Sequence, residues 1–226
     1  MNDSLQKLLA ELFGAFTLVF VGSLAILSFI EGDTGVVCIA LGFGLALLAG
    51  LYAFGELSGG HYNPIVSLAM VLDRRMDPKD LVPYWVAQFA GAVLASLCVL
   101  IAFDSDAVAD TTTQVGPAVS TGCALFLEML VSAVFVIVIL QATRSDRFGR
   151  TALLAISLTL VAAHVALVPL TGASLNTARS FGPALIGTYW TDFWVYLIGP
   201  PIGAVLGWAV FAVVNRGGEG LTAKAS

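Results

Sequence analysis

Six long stretches nearly free of charge dominate this sequence and restrict what it can fold into. Leu12–Ile30, Thr34–Gly55, Leu81–Phe103, Thr151–Ala178 and Phe193–Asn215 contain no Asp, Glu, Lys or Arg, and Thr121–Thr143 contains only Glu128. A helix crossing a hydrocarbon core of about 30 Å needs about 20 apolar residues. Each stretch is long enough. Only 11% of the chain is charged, against about 25% in a soluble domain. A hydrophobic share of 58% and a mean hydropathy of +0.94 exceed what a soluble core requires. The expected class is an all-α membrane protein, because a helix satisfies its backbone groups internally in lipid.

Two shorter apolar segments remain. Leu57–Leu72 follows the second span, and Gly172–Ile186, with Arg179 as its one charge, follows the fifth. Both are too short to cross and too apolar for surface loops. Non-helical backbone at membrane depth must be buried in protein or line a water-filled cavity. These segments are therefore expected to re-enter the membrane as half-helices.

Six crossings put both termini on one side. Lys7, Arg74, Arg75, Lys79, Arg144, Arg147, Arg150, Arg216 and Lys224 then share that side, nine of the ten basic residues. The positive-inside rule makes it cytoplasmic. Glu31, Asp33, Asp104, Asp106, Asp110 and Asp192 fall opposite. The net charge of −5 comes without a basic block, so no nucleic-acid partner is expected. Cys38, Cys98 and Cys123 lie in apolar runs without metal-type spacing and read as packing residues, so no metal or cofactor is expected. No spacing of Ser, His and Asp suggests a nucleophile beside a base, so no catalytic residue is assigned. The first apolar run is long and followed by others, and reads as a span rather than a cleaved signal.

The chain repeats itself. Asn63 in Gly60-His61-Tyr62-Asn63-Pro64-Ile65 and Asn176 in Ala173-Ser174-Leu175-Asn176-Thr177-Ala178 are 113 residues apart. Gly91-Ala92-Val93-Leu94 recurs as Gly203-Ala204-Val205-Leu206, 112 apart, and Glu11 matches Glu128, 117 apart. One membrane domain spanning 1–226 is expected, built of repeats at 8–103 and 120–215. Each repeat has three spans, so the second must be inverted. Repeats of this kind place the functional site near the midplane, where broken helices meet.

Asn followed by Pro is a helix-start signal, since Asn caps and Pro suits the first helical position. Asn63 should cap a half-helix running to Leu72, and Asn176 another running towards Ile186. Their N-termini would meet at the membrane centre. Each Asn oxygen would serve its own helix, leaving an NH₂ donor for the pore. Two positive dipole ends would repel a cation there and leave a neutral water two donors.

These residues carry a family resemblance. Ser58-Gly59-Gly60-His61-Tyr62-Asn63-Pro64 resembles the first signature of the aquaporin, or major intrinsic protein, family. The run from Thr171-Gly172-Ala173-Ser174-Leu175-Asn176 through Thr177-Ala178-Arg179-Ser180-Phe181-Gly182-Pro183 resembles the second. The resemblance extends from Ala10-Glu11 to Gly203. It implies six tilted helices, two half-helices, and a homotetramer with one pore per subunit. It further implies an outer filter at Phe43, His164, Ala173 and Arg179, a central constriction at Asn63, Asn176, Ile65 and Thr177, and loop anchoring by Glu11 and Glu128. Depth agrees with the filter: at a rise of ~1.5 Å per residue, Phe43 and Arg179 lie about 10 Å below the outer surface and His164 about 12 Å. An intramembrane Arg is a functional candidate on cost alone. Gly14, Gly22, Gly91, Gly203 and Gly207 are expected to allow close helix packing.

The sequence departs from the family's Asn-Pro-Ala twice, with Ile65 in place of Ala and Thr177 in place of Pro. Leu197, after Tyr196, stands where the family often has Trp. The expected function is a passive water channel of the plasma membrane, lying in the bilayer and excluding ions and protons. A facilitator of glycerol, hydrogen peroxide or another small neutral solute is the nearest alternative. In the family that branch carries Asp after the filter Arg and lacks the His, whereas this chain has Ser180 and His164. An ion-coupled transporter is a more distant alternative, and would need Glu11 and Glu128 as a proton path.

Overall fold

The computed structural model describes residues 3–29, 34–144, 149 and 151–222. The protein is all-α, with no strand among the described residues. In chain order the helices are α1 (Asp3–Phe29), α2 (Gly35–Ser58), α3 (Pro64–Leu72), α4 (Leu81–Ala102), α5 (Ser105–Asp110), α6 (Thr121–Ala142), α7 (Thr151–Thr171), α8 (Thr177–Ile186) and α9 (Phe193–Thr222). Six of them, α1, α2, α4, α6, α7 and α9, are long and apolar enough to cross a membrane. α3 and α8 are the two half-helices, of 9 and 10 residues.

Two features refine the charge-free runs. The charge-free run Thr151–Ala178 is not one helix. α7 stops at Thr171, where Gly172 turns the chain with φ 73°, a backbone region open mainly to glycine. The following residues are apolar because they are buried, not because they span. The acidic stretch after α4 is also partly helical. Asp104 caps α5 by accepting a hydrogen bond from the Ala107 N–H at 2.8 Å.

Packing is reciprocal between the two halves. α1 lies against α2 and α4, and α6 against α7 and α9; α3 packs on α9 and α8 on α4. Each half-helix is therefore held by the last span of the other half. Two matched glycines permit close crossings against backbone. A Cβ at Gly91 would fall 2.2 Å from the Leu12 carbonyl oxygen, and one at Gly203 2.3 Å from that of Met129. Gly14, Gly22 and Gly207 leave equally little room, against Tyr62, Phe43 and Ala133.

Polarity is distributed as lipid demands. Val86 is 63% exposed, Ile101 83% and Val213 72%, whereas Glu11, Glu128, Gln88, His164 and Arg179 are buried. Outward apolar side chains meet hydrocarbon, and inward polar ones must find partners. Lys7, Arg75 and Asp77 line one cavity at the end that also holds Arg74 and Arg144. Arg147, Arg150 and Lys224, and Glu31 and Asp33 opposite, lie outside the described residues, as does the Arg216 side chain.

Candidate functional site

The site begins with two loops of the same shape. Gly59, Gly60 and Tyr62 have φ 91°, 68° and 51°; Gly172, Ala173 and Leu175 have φ 73°, 51° and 50°. Left-handed backbone at a non-glycine residue costs roughly 1–2 kcal/mol. Something must hold Tyr62, Ala173 and Leu175 there, and the two buried glutamates supply it.

Glu11 accepts from the Ser58 hydroxyl (2.7 Å), the His61 N–H (2.9 Å), the Tyr62 N–H (2.7 Å) and the Gln88 amide (2.7 Å). Glu128 accepts from the Thr171 hydroxyl (2.7 Å), the Ser174 N–H (2.8 Å) and the Leu175 N–H (3.0 Å). Hydrogen bonds to charged groups contribute about 1.5–3 kcal/mol each, enough in sum to outweigh the backbone strain. Two buried tyrosines complete the match. The hydroxyl of Tyr84 donates to the Ser58 carbonyl (2.9 Å) and that of Tyr196 to the Thr171 carbonyl (2.8 Å). Neither tyrosine, nor Gln88, stands out in the sequence, because a polar residue in an apolar run does not reveal its partner.

The loops deliver Asn63 and Asn176 to one point. Asn63 Oδ1 accepts from the Ile65 N–H at 3.1 Å, and Asn176 Oδ1 from the Ala178 and Arg179 N–H groups at 3.0 and 3.2 Å. The amides then cross. Asn63 Nδ2 donates to the Leu175 carbonyl (2.8 Å) and Asn176 Nδ2 to the Tyr62 carbonyl (3.0 Å). An amide nitrogen has two hydrogens, so each Asn keeps one rather than both for the cavity. The committed hydrogen locks the two loops together and fixes the direction of the other.

A slender cavity of about 50 Å³ passes these residues. That is room for a short file of waters at roughly 10–15 Å³ each. Its polar side chains include His61, Asn63, Ser174, Asn176, His164 and Arg179, and α6 and α7 add Phe135, Ile139, Ile156 and Leu160. Towards one end, Phe43, His164 and Arg179 converge. The Arg179 guanidinium lies 4.8 Å over the Phe43 ring, and that ring stacks on His164 at 4.4 Å. Three residues from three helices meet as their depths suggest.

The hydrogen-bonding pattern at this cluster is specific. His164 Nδ1 is 3.0 Å from the Leu160 carbonyl, which can only accept, so Nδ1 carries the proton. Nε2, buried, has no protein partner among the described residues, and neither has Arg179 Nε. Arg179 Nη1 donates to the Thr111 carbonyl at 3.1 Å. Thr111 comes from a segment that reads in the sequence only as outer loop. Its neighbour Thr113 donates to Ser180 at 2.9 Å, and Thr111, Thr112 and Thr113 are all buried. Three adjacent threonines without a charge were the available signal.

Three expected residues are placed elsewhere. Ile65 and Thr177 do not border the channel cavity. They line a separate apolar cavity with Pro64, Trp85, Leu197 and Pro201. The helical turn that follows each capping Asn rotates the next residues away from the Asn amide. Ile65 therefore adds bulk behind the asparagines, not between them. Ala173 is fully buried in its loop and is also absent from the cavity wall. Its N–H is tied to the Thr171 hydroxyl at 3.2 Å.

Comparison with known proteins places this geometry. The family model described as Major intrinsic protein matches residues 1–211. The chain is 41% identical over 222 residues to a "Glycerol uptake facilitator protein-like 6" of Lactiplantibacillus plantarum, covering 95% of this chain and 100% of that one. It is 37% identical over 216 residues to "Aquaporin Z" of Brucella melitensis, covering 90% and 95%. In three dimensions it resembles the X-ray structure of the aquaglyceroporin from Plasmodium falciparum, with a TM-score of 0.84 and 25% identity over 92% of this chain and 95% of that one.

Proposed function

The chain belongs to the major intrinsic protein family, multi-pass membrane channels rather than enzymes, and on that premise we propose that it conducts water passively down osmotic gradients. The observation that carries this reading is the filter cluster of Phe43, His164 and Arg179. Two rings and a guanidinium narrow the passage, His164 Nε2 offers an acceptor, and Arg179 offers donors and a fixed positive charge. A water can replace its bulk hydrogen bonds there, while a cation meets that charge. Pore width, lining donors and a positive barrier are the general basis of selectivity in water channels. Asn63 and Asn176 present one donor each at the central constriction. Ala173 contributes through its loop, tied to Thr171 and leading to Asn176, and Ile65 and Thr177 as support behind the asparagines.

A second reading has its own support. Conduction of glycerol fits the names of the Lactiplantibacillus relative and the Plasmodium structure, and hydrogen peroxide or another small neutral solute belongs to the same alternative. An ion-coupled mechanism would have to use Glu11 and Glu128, the two carboxylates deep in the spans among the described residues. Glu11 and Glu128 are each engaged by loop N–H groups and hydroxyls, which favours anchoring over proton relay. We place the channel in the plasma membrane with both termini cytoplasmic, as a homotetramer of one-domain subunits with repeats at 8–103 and 120–215.

The test is stopped-flow light scattering on proteoliposomes, first under sucrose and then under glycerol. Fast shrinkage of low activation energy without glycerol re-swelling supports the water channel. Fast re-swelling in glycerol moves the protein to the second reading, and shrinkage no faster than empty vesicles overturns both.

A further inference from the structure

Outside the channel, a cavity of about 630 Å³ opens between the ends of α3, α6 and α9. Arg74, Arg75 and Arg144 border it with Asp73 and Asn215, over a floor that includes Trp208 and Phe211. We propose that this cavity binds the phosphate of an anionic phospholipid, with the acyl chains running along α9.

The charges are not equivalent. Arg75 is committed to the scaffold. Its Nε pairs with Asp73 at 2.6 Å, and its two terminal nitrogens donate to the Thr143 hydroxyl and the Leu140 carbonyl, each at 3.0 Å. Its guanidinium also lies 5.6 Å from the Phe211 ring centre. Asp73 thus neutralises Arg75, and the pair forms a wall. Among the described residues the lining carries three arginines against one aspartate. Arg144 is oriented by a hydrogen bond to Asn215 Oδ1, and Asn215 is itself fixed by donating to the Phe211 carbonyl at 2.9 Å. Arg74 sits on left-handed backbone, φ 60°, and its side chain makes no hydrogen bond or ion pair among the described residues. One guanidinium is held in place and another is available, which suits a phosphate with several acceptor oxygens.

The position selects a lipid over a free anion. Asn215 ends the apolar run Phe193–Asn215, so the cavity lies where hydrocarbon gives way to headgroups. The α9 surface leading to it is apolar and outward, with Val210 49%, Val213 72% and Val214 69% exposed. Trp208, about 10 Å further along the helix from Asn215, lies deeper, and its indole forms part of the apolar floor. Basic cavities between spans at this level accept anionic headgroups. An inorganic phosphate would use the arginines and leave the apolar floor and strip unexplained. The proposal rests on membrane embedding alone and not on which solute the channel passes.

The experiment is native mass spectrometry of the full chain in mild detergent, titrated in parallel with phosphatidylglycerol and phosphatidylcholine, and then with inorganic phosphate added to the first. The wild type should retain phosphatidylglycerol preferentially, and Arg74→Gln and Arg144→Gln should each weaken that preference roughly fivefold. The double variant should bind both lipids alike. Lys79→Gln, on the same face but paired with Asp77 at 2.8 Å in water, should behave as wild type. Osmotic flux measured on the same preparations shows that each variant is folded. Equal retention of the two lipids by the wild type, which needs no variant, overturns the proposal. So does a double variant that keeps the preference. Displacement of the lipid by equimolar inorganic phosphate assigns the cavity to a soluble anion and overturns it too.

Discussion

The hydroxyl of Thr177 donates to the backbone carbonyl of Tyr196 at 3.1 Å, and that carbonyl has lost its ordinary helical donor because residue 200 is proline. In an α-helix the carbonyl of residue 196 accepts from the N–H of residue 200, and proline has none. Thr177, where the family has proline, therefore completes the hydrogen bonding of α9 instead of adding a polar group to the pore. The substitution at the start of one helix and the proline inside another form one local arrangement.

From this follows a prediction on stability. Thr177→Pro or Thr177→Val leaves a buried carbonyl unpaired and should cost about 1–3 kcal/mol. Thr177→Ser should restore most of it. Pro200→Ala supplies an N–H and should shrink the cost of Thr177→Val. Thermal unfolding in detergent, run as a double-mutant cycle, checks the coupling. Water flow per folded channel should change little, since Thr177 does not border the cavity.

Replacing Arg179 removes the cation over Phe43 and its donors at the filter cluster. Arg179→Val should admit glycerol at least roughly tenfold faster, by analogy with pores whose width and charge set selectivity. It should also weaken exclusion of cations. Glycerol re-swelling and ion-leak assays on proteoliposomes read the two effects separately. Unchanged solute selectivity would remove Arg179 from the filter.

The two glutamates should respond differently to loss of charge. Glu11 holds four donors and Glu128 three. In Glu→Gln an NH₂ faces a donor that had been accepted, at a cost of about 1–3 kcal/mol or more. Glu11→Gln should therefore be the more destabilising in detergent melts. In both variants water flow should fall through misplacement of Asn63 or Asn176. A carboxylate serving as a proton relay would instead lose a pH-driven current and keep its water flow.

Gly203 faces a backbone carbonyl that cannot move aside. Gly203→Ala places a Cβ 2.3 Å from the Met129 oxygen and should cost roughly 1–3 kcal/mol by forcing α6 and α9 apart. Gly122, which faces open space, serves as the control. Yield of folded protein by size-exclusion chromatography distinguishes them.

Much of the fold was legible in the sequence because lipid enforces a simple rule. A run without charge and about 20 residues long has few alternatives to a spanning helix. Leu57–Leu72 and Gly172–Ile186 were legible as re-entrant for the opposite reason, being apolar yet too short. Phe43, His164 and Arg179, named by the family resemblance, could be brought to one depth by counting rise per residue. The end of α7 at Thr171 falls where the second re-entrant segment begins in the sequence, at Gly172.

Composition and spacing along the chain are enough for the number of crossings and for the sites of Asn63 and Asn176. Through its likeness to a known family the sequence also named the residues of the filter cluster. What lies across from what emerges in the packed helices: the asparagine amides bond to each other's loops, Thr111 holds Arg179, and Ile65 and Thr177 lie behind the pore rather than in it. These depend on how a helix is rotated about its axis and on backbone carbonyls freed by prolines or loops. Residue types do not encode that rotation. It is settled when α3 packs on α9 and α8 packs on α4, and each buried donor must find an acceptor.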